Sequence, residues 1–288
     1  MATTVKYCKT QVSDLNVFYR EAGPKDAPSV LLLHGYPTSS HMYRNLIPLF
    51  AEKYHVIAPD LIGFGFSDAP HYKSFDYTFD SLTRYVQGLI DQLELKRFAL
   101  QVFDYGAPVG YRLAVANPDR ITGIISQNGN AYEEGLSGGW DLLRKYWSHP
   151  TEDNRNSLRV SSTADSIQWQ YFTGVNDKCL VAPESYTVDQ IFMDRPENEE
   201  IQLDLFKDYA SNVALYPTFQ KYFREYQPPL LAVWGKNDPY FLPPGAKAFK
   251  KDLPKAIVKF YDTGHFALET HGDVIGKDIL KFLETLPK

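Results

Sequence analysis

Three residues in this chain are of the right types, and in the right places, to act together: Asp104, Asp238 and His265. Each directly follows a short apolar run: "LQVF" before Asp104, "LLAVWGKN" before Asp238, "KFYDTG" before His265. A carboxylate with a reference pKa of ~3.9 is ionised at neutral pH and needs no base to activate it. If it attacked an ester carbonyl it would form a high-energy anhydride. If it attacks a saturated carbon bearing a leaving group it forms an ordinary ester. An aspartate at a strand-to-helix corner therefore suits alkylating substrates, either epoxides or organohalides. Hydrolysing that ester needs a base for water, a part His265 can take, with Asp238 fixing its tautomer and stabilising the imidazolium. The negative charge that forms on the carboxyl oxygen needs donors. By position these are the backbone N–H groups of Tyr36 and Tyr105.

These residues need a scaffold that gathers strand ends. "SVLLLHG" (29–35), "HVIAPDL" (55–61), "RFALQVF" (97–103), "ITGIISQNG" (121–129), "PPLLAVWGKND" (228–238) and "AIVKFYDTGHF" (256–266) read as strands, several of them continuous apolar runs typical of burial on both faces. Between them, 40–54, 80–95 and 107–118 carry helical spacing, with Ser39 or Ser40 and Asp80 as possible caps and Pro118 as a stop. A last helix covers 273–286, and 5–23 reads as a hairpin turning at Ser13 and Asp14. Alternating strands and helices predict an α/β fold with a mostly parallel central sheet, whose ligands bind beyond the carboxyl ends of the strands. The alternation lapses after Asn130. The expected organisation is a core of residues 1–129 and 217–288 interrupted by a mainly helical lid, 130–216.

The chain has 288 residues and a net charge of -5 without a basic block, so no nucleic-acid partner is expected. Cys8 and Cys179 are the only cysteines, which predicts neither a disulfide framework nor a zinc site and suits a reducing, cytoplasmic setting. The first residues lack the apolar core of a signal peptide, and no run approaches the ~20 apolar residues of a membrane span. No metal and no cofactor is expected; His271, six residues from His265, forms no metal motif. A monomer or homodimer is expected. The 20 Tyr, 18 Phe and 4 Trp fit either an aromatic core and surface, which composition alone favours, or an aromatic-lined cavity.

The stretches "HGYP" (34–37), "PDLIGFGFSD" (59–68), "FDYGAPVG" (103–110), "WGKNDP" (234–239) and "DTGHFALE" (262–269), in the chain order acid, acid, histidine, resemble the α/β-hydrolase superfamily over nearly the whole sequence. With Asp where esterases carry Ser, the elbow is similar to the branch of epoxide hydrolases and dehalogenases, most closely its microbial epoxide-hydrolase-like members. The resemblance implies an α/β-hydrolase fold, a possible cis peptide before Pro37, and lid tyrosines that protonate an opening epoxide. Of Tyr132, Tyr146, Tyr171, Tyr186, Tyr209 and Tyr216, the match of "SIQWQYFTGV" and "NVALYPTFQKYF" to two lid stretches selects Tyr171 and Tyr216. His34, Pro37, Trp169 and Phe266 are expected at the substrate.

The expected reaction is thus epoxide opening through an Asp104 ester to a vicinal diol, on a small hydrophobic electrophile. A haloalkane or haloacid dehalogenase using the same ester is the alternative. Tyr105 and Tyr36 stand where haloalkane dehalogenases have Trp and Asn, and Arg112 lies two turns into its helix, too far along to hold a haloacid carboxylate. Trp140, Trp147 or Trp169 could still donate to a halide. A non-catalytic receptor would show a decayed triad, and a carboxylesterase would need a serine at the elbow. Asp60 reads as structural, and Glu133 and Glu134 as reserves for the acid.

Overall fold

A computed structural model describes residues 4–287. Eight strands form one sheet: β1 (Lys6–Val12), β2 (Leu15–Ala22), β3 (Ser29–Leu33), β4 (His55–Pro59), β5 (Phe98–Phe103), β6 (Ile121–Gln127), β7 (Leu230–Gly235) and β8 (Ile257–Tyr261). Their spatial order is β1-β2-β4-β3-β5-β6-β7-β8. β1 and β2 form the antiparallel hairpin, with Ser13 at φ 54° in its turn, and β2 runs antiparallel to β4; every pairing from β4 to β8 is parallel. Every residue of β4, β5 and β7 is buried, the continuous apolar pattern of strands covered on both faces. This is the α/β-hydrolase fold.

The helices begin and end slightly differently from the sequence reading. The single helix expected over 40–54 is a 3-10 turn, Ser40–Tyr43, followed by a short helix, Leu46–Phe50. The backbone there is tied elsewhere, because Ser40 N–H donates to Asp60 Oδ1 at 2.8 Å. Thr78, not Asp80, caps the helix Phe79–Gln92, accepting from Ser81 N–H. β8 stops at Tyr261, so His265 stands on the loop after it. The last helix starts earlier than read, at Ala267, and runs to Leu283 with non-helical backbone at His271.

Between β6 and β7 the chain is helical: Asp141–Ser148, Glu152–Asn156, Ala164–Phe172, Pro183–Met193, Asn198–Ala214 and Tyr216–Tyr226. Tyr216, the last residue of the expected lid, opens a helix that runs on to Tyr226. Among the described residues, no helix is long and apolar enough to cross a membrane.

Candidate active site

β5 runs straight into the helix Gly106–Ala116, and the corner between them holds Asp104 at φ 47°. Few non-glycine residues adopt this left-handed backbone, and such strain gathers at functional sites. Neighbouring glycines make the corner possible. A methyl group on Gly35 would lie 2.3 Å from Asp104 Oδ1, and one on Gly106 would lie 2.2 Å from Leu33 O. The close approach of Gly35 lets Tyr36 N–H donate to Asp104 Oδ1 at 2.6 Å. Tyr105 N–H also bonds the carboxylate. The carboxylate is therefore already held by two backbone donors, and the peptide between Tyr36 and Pro37 is cis.

The other oxygen, Oδ2, faces His265 Nε2 across 3.9 Å. That is too long for a hydrogen bond. On its far side, His265 Nδ1 meets Asp238 Oδ2 at 2.7 Å. Asp238 is itself held on every side. Oδ1 accepts from the N–H groups of Tyr240 and Phe241 at 2.7 and 3.1 Å, and Oδ2 accepts from Asn128 Nδ2 at 2.7 Å. An ionised Asp238 fixes the tautomer with the proton on Nδ1, which leaves Nε2 free to accept a proton on the side of Asp104.

Burial sets the electrostatics. Asp104 is 7% exposed and His265 1%. Burial pushes the Asp104 pKa up from 3.8 to about 6, against the opposing pull of His265 and of the Tyr36 and Tyr105 N–H groups. Burial also disfavours the charged imidazolium, but Asp238 and then Asp104 outweigh it, and the His265 pKa is raised.

Asp104 and His265 lie on the wall of a cavity of about 270 Å³, slightly below the usual range for drug-sized ligands. The remaining wall is mostly apolar, with Leu142, Leu158, Phe206 and Phe241 among its residues. Leu142 and Trp169 are half exposed, at 50% and 49%, and mark its mouth. Four tyrosines also line it: Tyr36, Tyr105, Tyr209 and Tyr240. Tyr36 Oη donates to Ser161 O at 2.8 Å, and Tyr105 Oη is buried without a partner among the described residues.

Tyr171 and Tyr216 are not on this wall. Tyr171 Oη donates to the buried Asp189 Oδ2 at 2.5 Å, and its ring stacks on Phe266 at 3.8 Å. Tyr216 Oη accepts from Asn130 Nδ2 at 3.1 Å and pairs with the Tyr209 hydroxyl. Of the residues expected at the substrate, Trp169 lines the cavity and His34, Pro37 and Phe266 do not. His34 braces two loops instead: Nε2 accepts from Leu61 N–H at 2.9 Å, which leaves Nδ1 to donate to Gly35 O at 3.0 Å.

The other charged residues weighed from the sequence stand off the cavity wall. Asp60 accepts from Ser40 and Phe66 N–H groups, and Glu134 pairs with Lys251. Arg112 bonds Asp80, Asn212 and Ser211, away from the cavity. Asn128 was missed by sequence reasoning. Its signal is an Asn-Gly pair where β6 ends, with Asn128 at φ 44°, a residue type that tolerates this backbone. Tyr209 was noted among six tyrosines but not singled out.

The family model for the alpha/beta hydrolase fold matches residues 28–272. An uncharacterized hydrolase of Saccharomyces cerevisiae, YNR064C, is 46% identical over 280 residues, 96% of each chain. A haloalkane dehalogenase of Psychrobacter cryohalolentis is 28% identical, over 96% of this chain and 90% of its own. Among solved structures, the epoxide hydrolase CorEH superposes with a TM-score of 0.78 at 18% identity, covering 98% of this chain and 99% of its own. The fold, the order of the site residues and these matches agree: the chain belongs to the α/β-hydrolase family, in the branch that holds epoxide hydrolases and haloalkane dehalogenases.

Proposed function

We propose that the protein is an epoxide hydrolase that works through an ester on Asp104. Oδ2 attacks the less hindered oxirane carbon, the C–O bond opens, and the alkoxide takes a proton from a cavity tyrosine. His265 Nε2 then removes a proton from water, whose oxygen attacks Asp104 Cγ. Charge develops on Oδ1, which already accepts from the Tyr36 N–H, with the Tyr105 N–H also bonded to this carboxylate. Collapse breaks the ester C–O bond, the departing alkoxide takes the imidazolium proton, and the carboxyl proton returns to the phenolate. The product is a vicinal diol. In this reading the helices between β6 and β7 are the lid over residues 1–129 and 217–288.

The observation that favours an epoxide over a halide is the kind of donor the cavity offers. A departing halide needs N–H donors. The indole N–H groups of Trp140 and Trp147 are committed to Tyr240 O and Phe206 O, at 3.0 and 2.8 Å, which leaves Trp169 at the mouth and the Gln170 amide as the side-chain N–H donors on the wall. An opening epoxide needs a hydroxyl beside the carboxylate, and Tyr209 and Tyr240, both on the wall, feel the Asp104 charge. We assign the acid role to these two rather than to Tyr171 and Tyr216. Tyr209 packs beside the nucleophile corner, its ring 5.8 Å from that of Tyr105. Tyr240 packs edge-on against His265 at 5.8 Å, close to the reacting groups.

The dehalogenase reading is tested beside it. The enzyme is incubated with an epoxide and with a haloalkane, and diol and halide are assayed. Diol from the epoxide is expected; halide release without diol refutes the proposal. A single turnover in heavy-oxygen water is expected to place label on Asp104, and label found only in the product excludes the ester.

A further inference from the structure

The catalytic groups and tyrosines aside, the buried cavity wall carries one long polar side chain, Gln170. It is 3% exposed. Its amide makes no hydrogen bond to any group among the described residues, so both its donors and its acceptor are open to the cavity it lines. The amide atoms are not among the enclosed, unpartnered ones, so the groups that can bond them are those that enter the cavity, water or a ligand. A leucine or methionine there would fill the same space without recognising either.

The helix Ala164–Phe172 explains why Gln170 faces inward. Its next residue, Tyr171, is clamped between the Phe266 ring and Asp189. Its preceding residue, Trp169, stands at the mouth, its ring edge-on to Tyr240 at 5.9 Å. With both neighbours fixed, the helix cannot roll to carry Gln170 out to solvent. Beside it, the wall is hydrocarbon and ring.

We propose that Gln170 determines specificity by hydrogen-bonding an oxygen atom on the substituent of the substrate. The preferred substrates are then small epoxides whose side chain carries an ether, hydroxyl or carbonyl oxygen, rather than plain hydrocarbon epoxides. This rests on the epoxide-hydrolase reading for the reaction, but not for the binding. Gln170 does not touch the reacting atoms, so its contribution is to binding the ground state and transition state alike, and it is read mainly in KM.

The test uses butyl glycidyl ether and 1,2-epoxyoctane, which differ by one ether oxygen in place of a methylene. The wild-type enzyme is expected to favour the ether in kcat/KM by roughly tenfold. Gln170→Met keeps the shape and removes the amide; it is expected to erase that preference through a higher KM for the ether, leaving the hydrocarbon unchanged or improved. An unchanged ratio, or equal losses on both substrates, overturns the proposal. The matching pair of diols, 3-butoxypropane-1,2-diol and octane-1,2-diol, is titrated at equilibrium by tryptophan fluorescence. If no epoxide is opened yet Gln170→Met still removes a preference for the butoxy diol, the reaction assignment fails and the assignment of Gln170 stands. If neither variant distinguishes the diols, the assignment of Gln170 fails on its own.

Discussion

Replacing Asp104 by asparagine should make the protein more stable while destroying turnover, and the gain should depend on pH. Burial raises the Asp104 pKa from 3.8 to about 6, so the folded chain holds this proton more tightly than the unfolded chain. A group raised in this way favours folding only while protonated, and that contribution is lost as pH rises through 6. At about 1.36 kcal/mol per pH unit, keeping the carboxylate ionised costs the fold about 3 kcal/mol at pH 8 and about half that at pH 5. Asparagine has nearly the same shape, can accept from Tyr36 N–H through its own oxygen, and carries no charge. Asp104→Asn should therefore raise the unfolding free energy by up to about 3 kcal/mol at pH 8, or roughly 6 °C in Tm for a chain of this size. The gain should fall to about half at pH 5. In a His265→Gln background the gain should grow, because the imidazolium that lowers the Asp104 pKa is gone. Urea unfolding of both proteins at the two pH values measures this. A gain that is absent, or equal at pH 5 and pH 8, refutes the claim that a buried charge is held there against its solvation.

The other predictions concern the reaction. His265→Gln should accumulate the ester, seen by intact mass as enzyme plus epoxide, because Asp104 still attacks but no base activates water. Tyr209→Phe and Tyr240→Phe should each slow ester formation by 10- to 100-fold, about the scale of one acid contribution, when followed by rapid mixing; an unaffected rate in both would remove the tyrosines from the mechanism. Gly35→Ala should abolish activity with the fold retained by circular dichroism, since the added methyl would occupy space 2.3 Å from Asp104 Oδ1. Ester formation should decline as pH falls through about 6, where Asp104 gains its proton. Ester hydrolysis should decline at a higher pH, above the ordinary histidine value of 6.5, because the His265 pKa is raised.

The sheet was legible because strands buried on both faces write themselves as continuous apolar runs, and the triad was legible because each member terminates or follows such a run. The lid side of the cavity was harder to read, for a physical reason. Tyr171, Tyr209 and Tyr216 are chemically identical in sequence and all buried, so which hydroxyl reaches the cavity depends on helix rotation and on partners far along the chain. Asp189 takes Tyr171 and Asn130 takes Tyr216, and neither partnership has a local signature. Asn128 shows the same limit. Its Asn-Gly turn marks a bend, but its role appears only when β6 and β7 lie side by side and bring Asp238 to within 2.7 Å. The expected helix over 40–54 failed because Asp60, on another strand end, claims the Ser40 N–H.

Arg112 lies on the helix that starts at the Asp104 corner, and its guanidinium grips Asn212 and Ser211 on the helix that carries Tyr209. Swinging that second helix outward would break both bonds and leave the buried guanidinium with only Asp80 and Pro108 O as partners, an unfavourable change to repeat at every turnover. Asp104 and Tyr209 are thus tied to one another across the cavity, and the way in lies on the opposite side, where Leu142 and Trp169 stand half exposed at the rim.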